Sequence, residues 1–163
     1  MSAILTLLQA EAPEPCCEQV MFRRPMVDLG AAMAMLDLNE QQLRRAIERG
    51  RIRWAFNLAV GGRNHVQILV RSLANYTDRT IIQPATPEGV ANMVLPPESA
   101  TSGTVRGTEL QFGLNIRSQH VTKLLDAGLI AESEMSNGGK GRNGSHIFTR
   151  ESIVRLLVTR RMK

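Results

Sequence analysis

The chain has 163 residues, 43% of them hydrophobic and 21% charged, so it can bury one medium or two small globular cores and is not generically disordered. Its formal charge is +5, and 17 of its 20 basic residues are Arg, whose planar fork matches phosphate oxygens and guanine edges. Aromatic residues make up only 4%, which counts against a single-strand platform built on base stacking; Cys16 and Cys17 are adjacent, which excludes a disulfide framework and a Cys-based zinc site.

Residues 1–20 carry Glu11, Glu14 and Glu18 and no base. Ile4, Leu5, Leu7 and Leu8 would share one face of a short N-terminal helix. Such a helix is too short to stand alone, so it is expected to dock on the body, on a second copy or on a partner protein. No base precedes it, so it does not read as a signal peptide, and no apolar run approaches the ~20 residues of a membrane span. The expected location is cytoplasmic, on the bacterial nucleoid if DNA is the partner.

Residues 21–79 form the first basic block, with ten Arg against five acids. A helical stretch over 28–36 leads through Asp37 and Leu38 to Asn39, a helix-capping residue type, and to a helix over 40–48. Leu43, Ala46 and Ile47 line its buried face, and Gly50 ends it. Ile52, Trp54 and Phe56 alternate as in a strand, residues 61–64 turn, and residues 65–70 return as a second strand. A further helix follows from Arg71. Residues 80–103 hold Pro84, Pro87, Pro96 and Pro97 and a Ser/Thr/Gly cluster, and read as a linker with a short helix from Pro87.

Residues 104–163 form the second basic block and repeat the first at an offset of 78. Apolar residues match at 36/114, 38/116, 43/121, 46/124, 47/125 and 52/130, and Gly50 matches Gly128. A helix over 104–114 is expected, then a second with Val121, Leu124 and Leu125 on one face. Arg117 stands where Asn39 caps, so Ser118 is the nearest capping residue. Residues 130–135 lead out, 137–144 turn, 146–148 return, and a closing helix starts at Arg150. The expected fold class is mainly α with small β-wings: two tandem helix-turn-helix modules, each with a two-stranded wing, joined by a Pro-rich linker.

Leu36-Asp37-Leu38-Asn39 and Leu114-Asn115-Ile116-Arg117 occupy the turns, and Ile147-Phe148-Thr149-Arg150-Glu151-Ser152-Ile153 opens the closing helix. This pattern resembles the winged helix-turn-helix of the excisionase and MerR-like DNA-binding superfamily, over residues 27–76 and 104–158. The turns lack that superfamily's Gly. Units of this kind are also similar to domains in TniQ-type transposition proteins.

In a helix-turn-helix the second helix enters the major groove. Its outward residues are Gln41, Gln42, Arg44 and Arg45 in the first module and Arg117, Ser118, Gln119, His120 and Lys123 in the second. Gln suits the adenine edge and Arg the guanine edge. Arg63 and Asn64 on one wing and Lys140 and Arg142 on the other are expected on phosphates or in a minor groove. Arg23 and Arg24 add candidate phosphate contacts.

Residues 139–144 match a dinucleotide-binding Gly pattern, but acids precede them and a strand-like segment follows, so that reading is rejected. His65, His120 and His146 lack metal-ligand spacing, and no Ser, His and acid grouping is readable. The expectation is a sequence-specific double-stranded DNA-binding protein, not an enzyme and without cofactor or metal. It would regulate transcription or assist excision or transposition of a mobile element. The alternative is an adaptor that uses the same modules for protein contacts in a transposition or replication assembly.

Overall fold

A computed structural model describes residues 24–62, 64–134 and 146–163, and the expected N-terminal helix and the second wing's turn lie outside them. The described residues are mainly helical, with small antiparallel sheets. Strand β1 (Met26–Asp28) runs into helix α1 (Leu29–Leu36), where the Asp28 carboxylate accepts the Ala31 N–H at 2.8 Å. Asp37 turns the chain with φ 50°. Helix α2 (Glu40–Glu48) opens on a reciprocal cap: the Asn39 side chain accepts the Gln42 N–H and the Gln42 side chain accepts the Asn39 N–H, both at 2.9 Å. Strands β2 (Ala55–Asn57) and β3 (Val66–Leu69) follow, then helix α3 (Val70–Thr77). Helices α4 (Pro87–Val94) and α5 (Ser99–Ser102) lead to β4 (Thr104–Arg106), α6 (Gly107–Gly113), α7 (Ser118–Asp126), β5 (Ile147–Thr149) and α8 (Arg150–Thr159).

The sequence repeat extends to the backbone. At the offset of 78, β1 falls on β4 and α2 on α7, residue for residue. Asp37 and Asn115 both sit in the left-handed region, at φ 50° and 52°, as do Gly50 and Gly128, both at 67°. Each Gly closes its helix with the same two hydrogen bonds: Gly50 N–H to Ile47 O and Arg51 N–H to Ala46 O, Gly128 N–H to Leu125 O and Leu129 N–H to Leu124 O. The Ser72 hydroxyl accepts the Arg53 N–H, and the Ser152 hydroxyl accepts the Ala131 N–H in the same place.

Two expectations change in detail. The stretch over 104–114 begins as a strand, because Thr104–Arg106 pairs antiparallel with Ile147–Thr149. The described part of the expected lead-out, residues 130–134, makes a single bridge, Glu132 to Phe148, rather than a strand.

The first hairpin is not a solvated wing along its length. Strand order is β1-β3-β2, all antiparallel, with Met26 opposite Leu69 and Ala55 opposite Ile68. Val27, Ala55, Val66 and Ile68 face one core, with Ala32, Leu43, Ile47 and Leu73. Met26, Phe56 and Leu69 face the other, which also holds Trp54, Val90, Leu110, Leu124, Phe148 and Leu156. The alternation along each strand therefore feeds two cores, and the second core draws on both halves of the chain.

Residues 80–103 are built into that second core rather than strung as a loose tether. The Trp54 indole N–H donates to Pro84 O at 2.8 Å, the Arg71 guanidinium to Ile82 O at 2.6 Å and the Asn75 amide to Ile81 O at 2.7 Å. Helix α4 opens on the Thr86 cap with Pro87 at its first position, and buries Val90, Ala91 and Val94. The buried Arg150 guanidinium ties α8 back to this segment through Glu88, Asn92 at 2.7 Å and Ser99 at 3.1 Å.

Two glycines test this packing. A Cβ on Gly113 would lie 1.9 Å from Val94 O, so Gly113→Ala forces α4 and α6 apart. A Cβ on Gly50 would meet nothing within 4 Å, so Gly50→Ala carries only the left-handed backbone cost. Gly50→Ala is expected to cost about 1 kcal/mol, roughly 2–4 °C in Tm for a chain of this size. Gly113→Ala is expected to cost about 3 kcal/mol or more. Thermal unfolding of both variants by circular dichroism checks the order; equal losses would mean that α4 does not press on α6.

Candidate nucleic-acid interface

Helix α7 rests on the core through Val121 and Leu124, so its other side faces out. Arg117 is its N-cap residue and makes no capping hydrogen bond; Ser118, the expected cap, is instead the first helical residue. Arg117, Ser118, Gln119 and Lys123 are exposed. Among the described residues the side chains of Arg117, Gln119 and Lys123 meet no hydrogen-bond or ion-pair partner.

His120 has a different place. It is half-buried against the first half of the chain, where its Nε2–H donates to Leu58 O at 2.7 Å. Its ring stacks on His65, with centroids 4.2 Å apart and planes 18° apart. Residues 55 positions apart in sequence thus form one aromatic contact. Sequence spacing had placed both on polar surfaces or wings; the packing of α7 against the β2–β3 hairpin brings them together.

The two rings line a cleft of about 1100 Å³ between α7, the α6–α7 turn and the first sheet. Arg24, Arg117, Lys123, His65 and His120 line it, together with the amides of Gln67, Asn115 and Gln119. The carboxylate on its wall is Asp28, and that group already caps α1. A polar chain of contacts crosses the floor: Arg24 Nη1–H donates to Asn115 Oδ1 at 2.5 Å, Asn115 Nδ2–H to Gln67 Oε1 at 3.2 Å, and Gln67 Nε2–H reaches His65 Nε2 at 3.3 Å. Gln67 is 2% exposed, so this chain is the means by which its buried amide is satisfied. Sequence reading missed Gln67 and Asn115. The signal for Asn115 was its match to Asp37 in the turn; nothing local marks Gln67.

The first-half residues expected to read DNA lie elsewhere. Gln41 and Arg45 are exposed on α2, free of hydrogen-bond or ion-pair partners among the described residues. Arg44 is half-buried and paired with Glu40 at 2.8 Å, and the Gln42 oxygen is taken by the helix cap. Asn64 accepts from the Asn57 amide at 3.3 Å. None of these lines the cleft. Arg63, Lys140 and Arg142 lie outside the described residues.

A second groove, about 550 Å³ and mostly apolar, lies beside the first, between Pro25, Met93–Pro96 and α6. Phe112 is 50% exposed and lines both, with the Arg24 guanidinium 6.0 Å from its ring centroid. Among the described residues no group of His, Cys, Asp or Glu is disposed to hold a metal ion, and no helix is long and apolar enough to cross a membrane. Comparison with protein-family models, with curated proteins and with solved structures finds no match to this chain.

Burial holds His65 below the ordinary histidine pKa; the neighbouring His120 adds to this and Asp28 opposes it. The unfolded chain takes up the His65 proton near pH ~6.5, and the folded chain only at lower pH. Between those values the unfolded state binds more protons, so stability falls as pH drops below about 6.5. Urea denaturation at pH 7.5 and 5.5 is expected to show a lower midpoint at 5.5 for the wild type and a smaller drop for His65→Gln. Parallel drops in the two proteins would remove His65 as the source.

Proposed function

We propose that the protein binds double-stranded DNA through two winged helix-turn-helix units, as a transcriptional regulator or an accessory factor of a mobile element. The observation that carries this is the outer side of α7, where Arg117, Gln119 and Lys123 are exposed beside Arg24 and two histidines, with its wall carboxylate already engaged. A duplex supplies what this surface lacks: base-edge acceptors for Arg117 and Gln119 in a major groove, and phosphates for Arg24 and Lys123. The repeat of β1-α1-α2 in β4-α6-α7 supports two units of one kind. Because they share a core, the pair engages DNA as one body, and its two outer helix faces differ: Arg117 and Lys123 at α7 have no ion-pair partner among the described residues, while α2 spends Arg44 on Glu40 and Gln42 on its cap. An asymmetric site is the expected target.

The adaptor reading has one observation in its favour, the apolar groove flanked by Phe112, 50% exposed, and Met93, 41% exposed. Gel shifts with a random duplex at ~50 and ~200 mM salt separate the readings, since a DNA interface loses affinity steeply with salt. The double substitution Arg117→Ala and Lys123→Ala is expected to lower the slope of log K against log salt by about two if both meet phosphates, and by about one if Arg117 reads a base. Arg45→Ala is expected to lower it by at most about one. Salt-insensitive binding, or none, would leave the adaptor reading in possession.

A further inference from the structure

The polar chain on the cleft floor has a direction. A guanidinium can only donate, so Arg24 makes Asn115 present its oxygen. Asn115 then presents its NH₂ to Gln67, whose oxygen accepts it, and Gln67 is left with its own NH₂ facing His65. His65 Nε2 must therefore be a bare acceptor, and the imidazole is held neutral. His120 cannot relieve it, because its Nε2–H is committed to Leu58 O.

We infer that the cleft is a phosphate site in which occupancy and protonation of His65 are coupled through this chain. The inference rests on the duplex-binding reading and names the regulation of that site. A phosphate entering between Arg24 and Lys123 draws Arg24 off Asn115. Both amides can then turn over. Gln67 presents its oxygen to a protonated His65 Nε2–H, Asn115 presents its oxygen to the Gln67 NH₂, and the Asn115 NH₂ points to the phosphate. Along the chain from Asn115 through Gln67 to His65 Nε2, each contact sets a donor against an acceptor in both arrangements. The charged and titratable groups that line the cleft with His65 are Arg24, Asp28 at the end of β1, Arg117 at the N-cap of α7, and His120 and Lys123 on α7, of which His120 and Asp28 act on its pKa. With phosphate present, the cations of this set are compensated and the proton is held more tightly. Binding takes up a proton, so affinity rises as pH falls.

The test follows the His65 imidazole resonances by NMR from pH 5 to 8, in the wild type and in Asn115→Gly. Asn115 sits at φ 52°, which Gly adopts without strain, and that change frees Gln67 while leaving the Arg24 charge in place. In the free protein Asn115→Gly is expected to raise the His65 midpoint by about half to one pH unit, the worth of one hydrogen bond. Saturating random duplex is expected to raise the wild-type midpoint, and to raise that of Asn115→Gly less. Wild-type duplex affinity is expected to rise about threefold to tenfold from pH 8 to pH 6, and His65→Gln to lose that rise. Inorganic phosphate forms a separate arm: a midpoint moved by phosphate but not by duplex supports the site and removes DNA as its ligand. A midpoint that neither moves, or that both proteins shift equally, overturns the coupling, since the second result is through-space charge alone. Failure to bind duplex at all is read directly from the gel shift and bears on the function, not on the chain of amides.

Discussion

A three-stranded sheet only three to four residues deep is buried on both of its faces, and the rest of the molecule is arranged around that fact. Its strands are too short to be stable alone. Val27, Ala55 and Ile68 close the core under α1, α2 and α3; Met26, Phe56 and Leu69 close the core under α4, α6, α7 and α8. A side chain moved by one register position would pass from one core to the other, so pairing of β1 and β2 on β3 is specified by two packed surfaces at once. Trp54 and Phe56 are fully buried on the side shared with the second half, and no other sheet in the described residues offers a surface of that kind.

That shared surface places α7. The second sheet is two-stranded, so the second half covers its own strands and then lies against the first half's sheet. Leu58, His65 and Gln67 belong to the hairpin that receives α7, and all three hold groups on or beside α7: His120 through Leu58 O and the ring stack, Asn115 through Gln67. The cleft is thus a product of the junction between the halves and belongs to neither. The joining segment braces the same junction from the far side, where Arg150 gathers α4 and α5 onto α8.

Local signals in the sequence located the helices well and the sheets poorly, for a physical reason. The α2 and α7 helices are marked by their own residues: Leu43, Ala46 and Ile47 at helical spacing, Asn39 at the start, Gly50 and Gly128 at the stops. Strands β1 and β4 have three residues each and exist only because β3 and β5 arrive about 40 positions later, so no local period announces them. The alternation of Ile52, Trp54 and Phe56 gave a strand, but the burial of Ala55 between them depends on α2 lying over it. Four prolines made residues 80–103 read as a linker; Val90, Ala91 and Val94, one face of a helix, were the available sign that it packs. Of the candidate interface, Arg117, Gln119 and Lys123 were legible as an outward helix face. The meeting of His65, Gln67, Asn115 and His120 was not, because it is a tertiary contact between halves.

The two copies differ most where α2 and α7 begin. Helix α2 has a full reciprocal cap, worth about 1 kcal/mol in comparable helices. At the matching position α7 has Arg117 with no capping bond, and a cation beside the positive end of a helix is electrostatically unfavourable. Local stability has been given up in one copy and kept in the other. Against the same end of α7 the first half sets His65, whose burial disfavours its charged form, and the Asp28 carboxylate, which caps α1. The Arg117 charge at a helix N-terminus and the desolvated His65 are costs in the free protein, and a bound anion offsets both. In the duplex-binding reading the α7 end of the molecule is therefore the one tuned to the bound state, and α2 is the copy that keeps the fold.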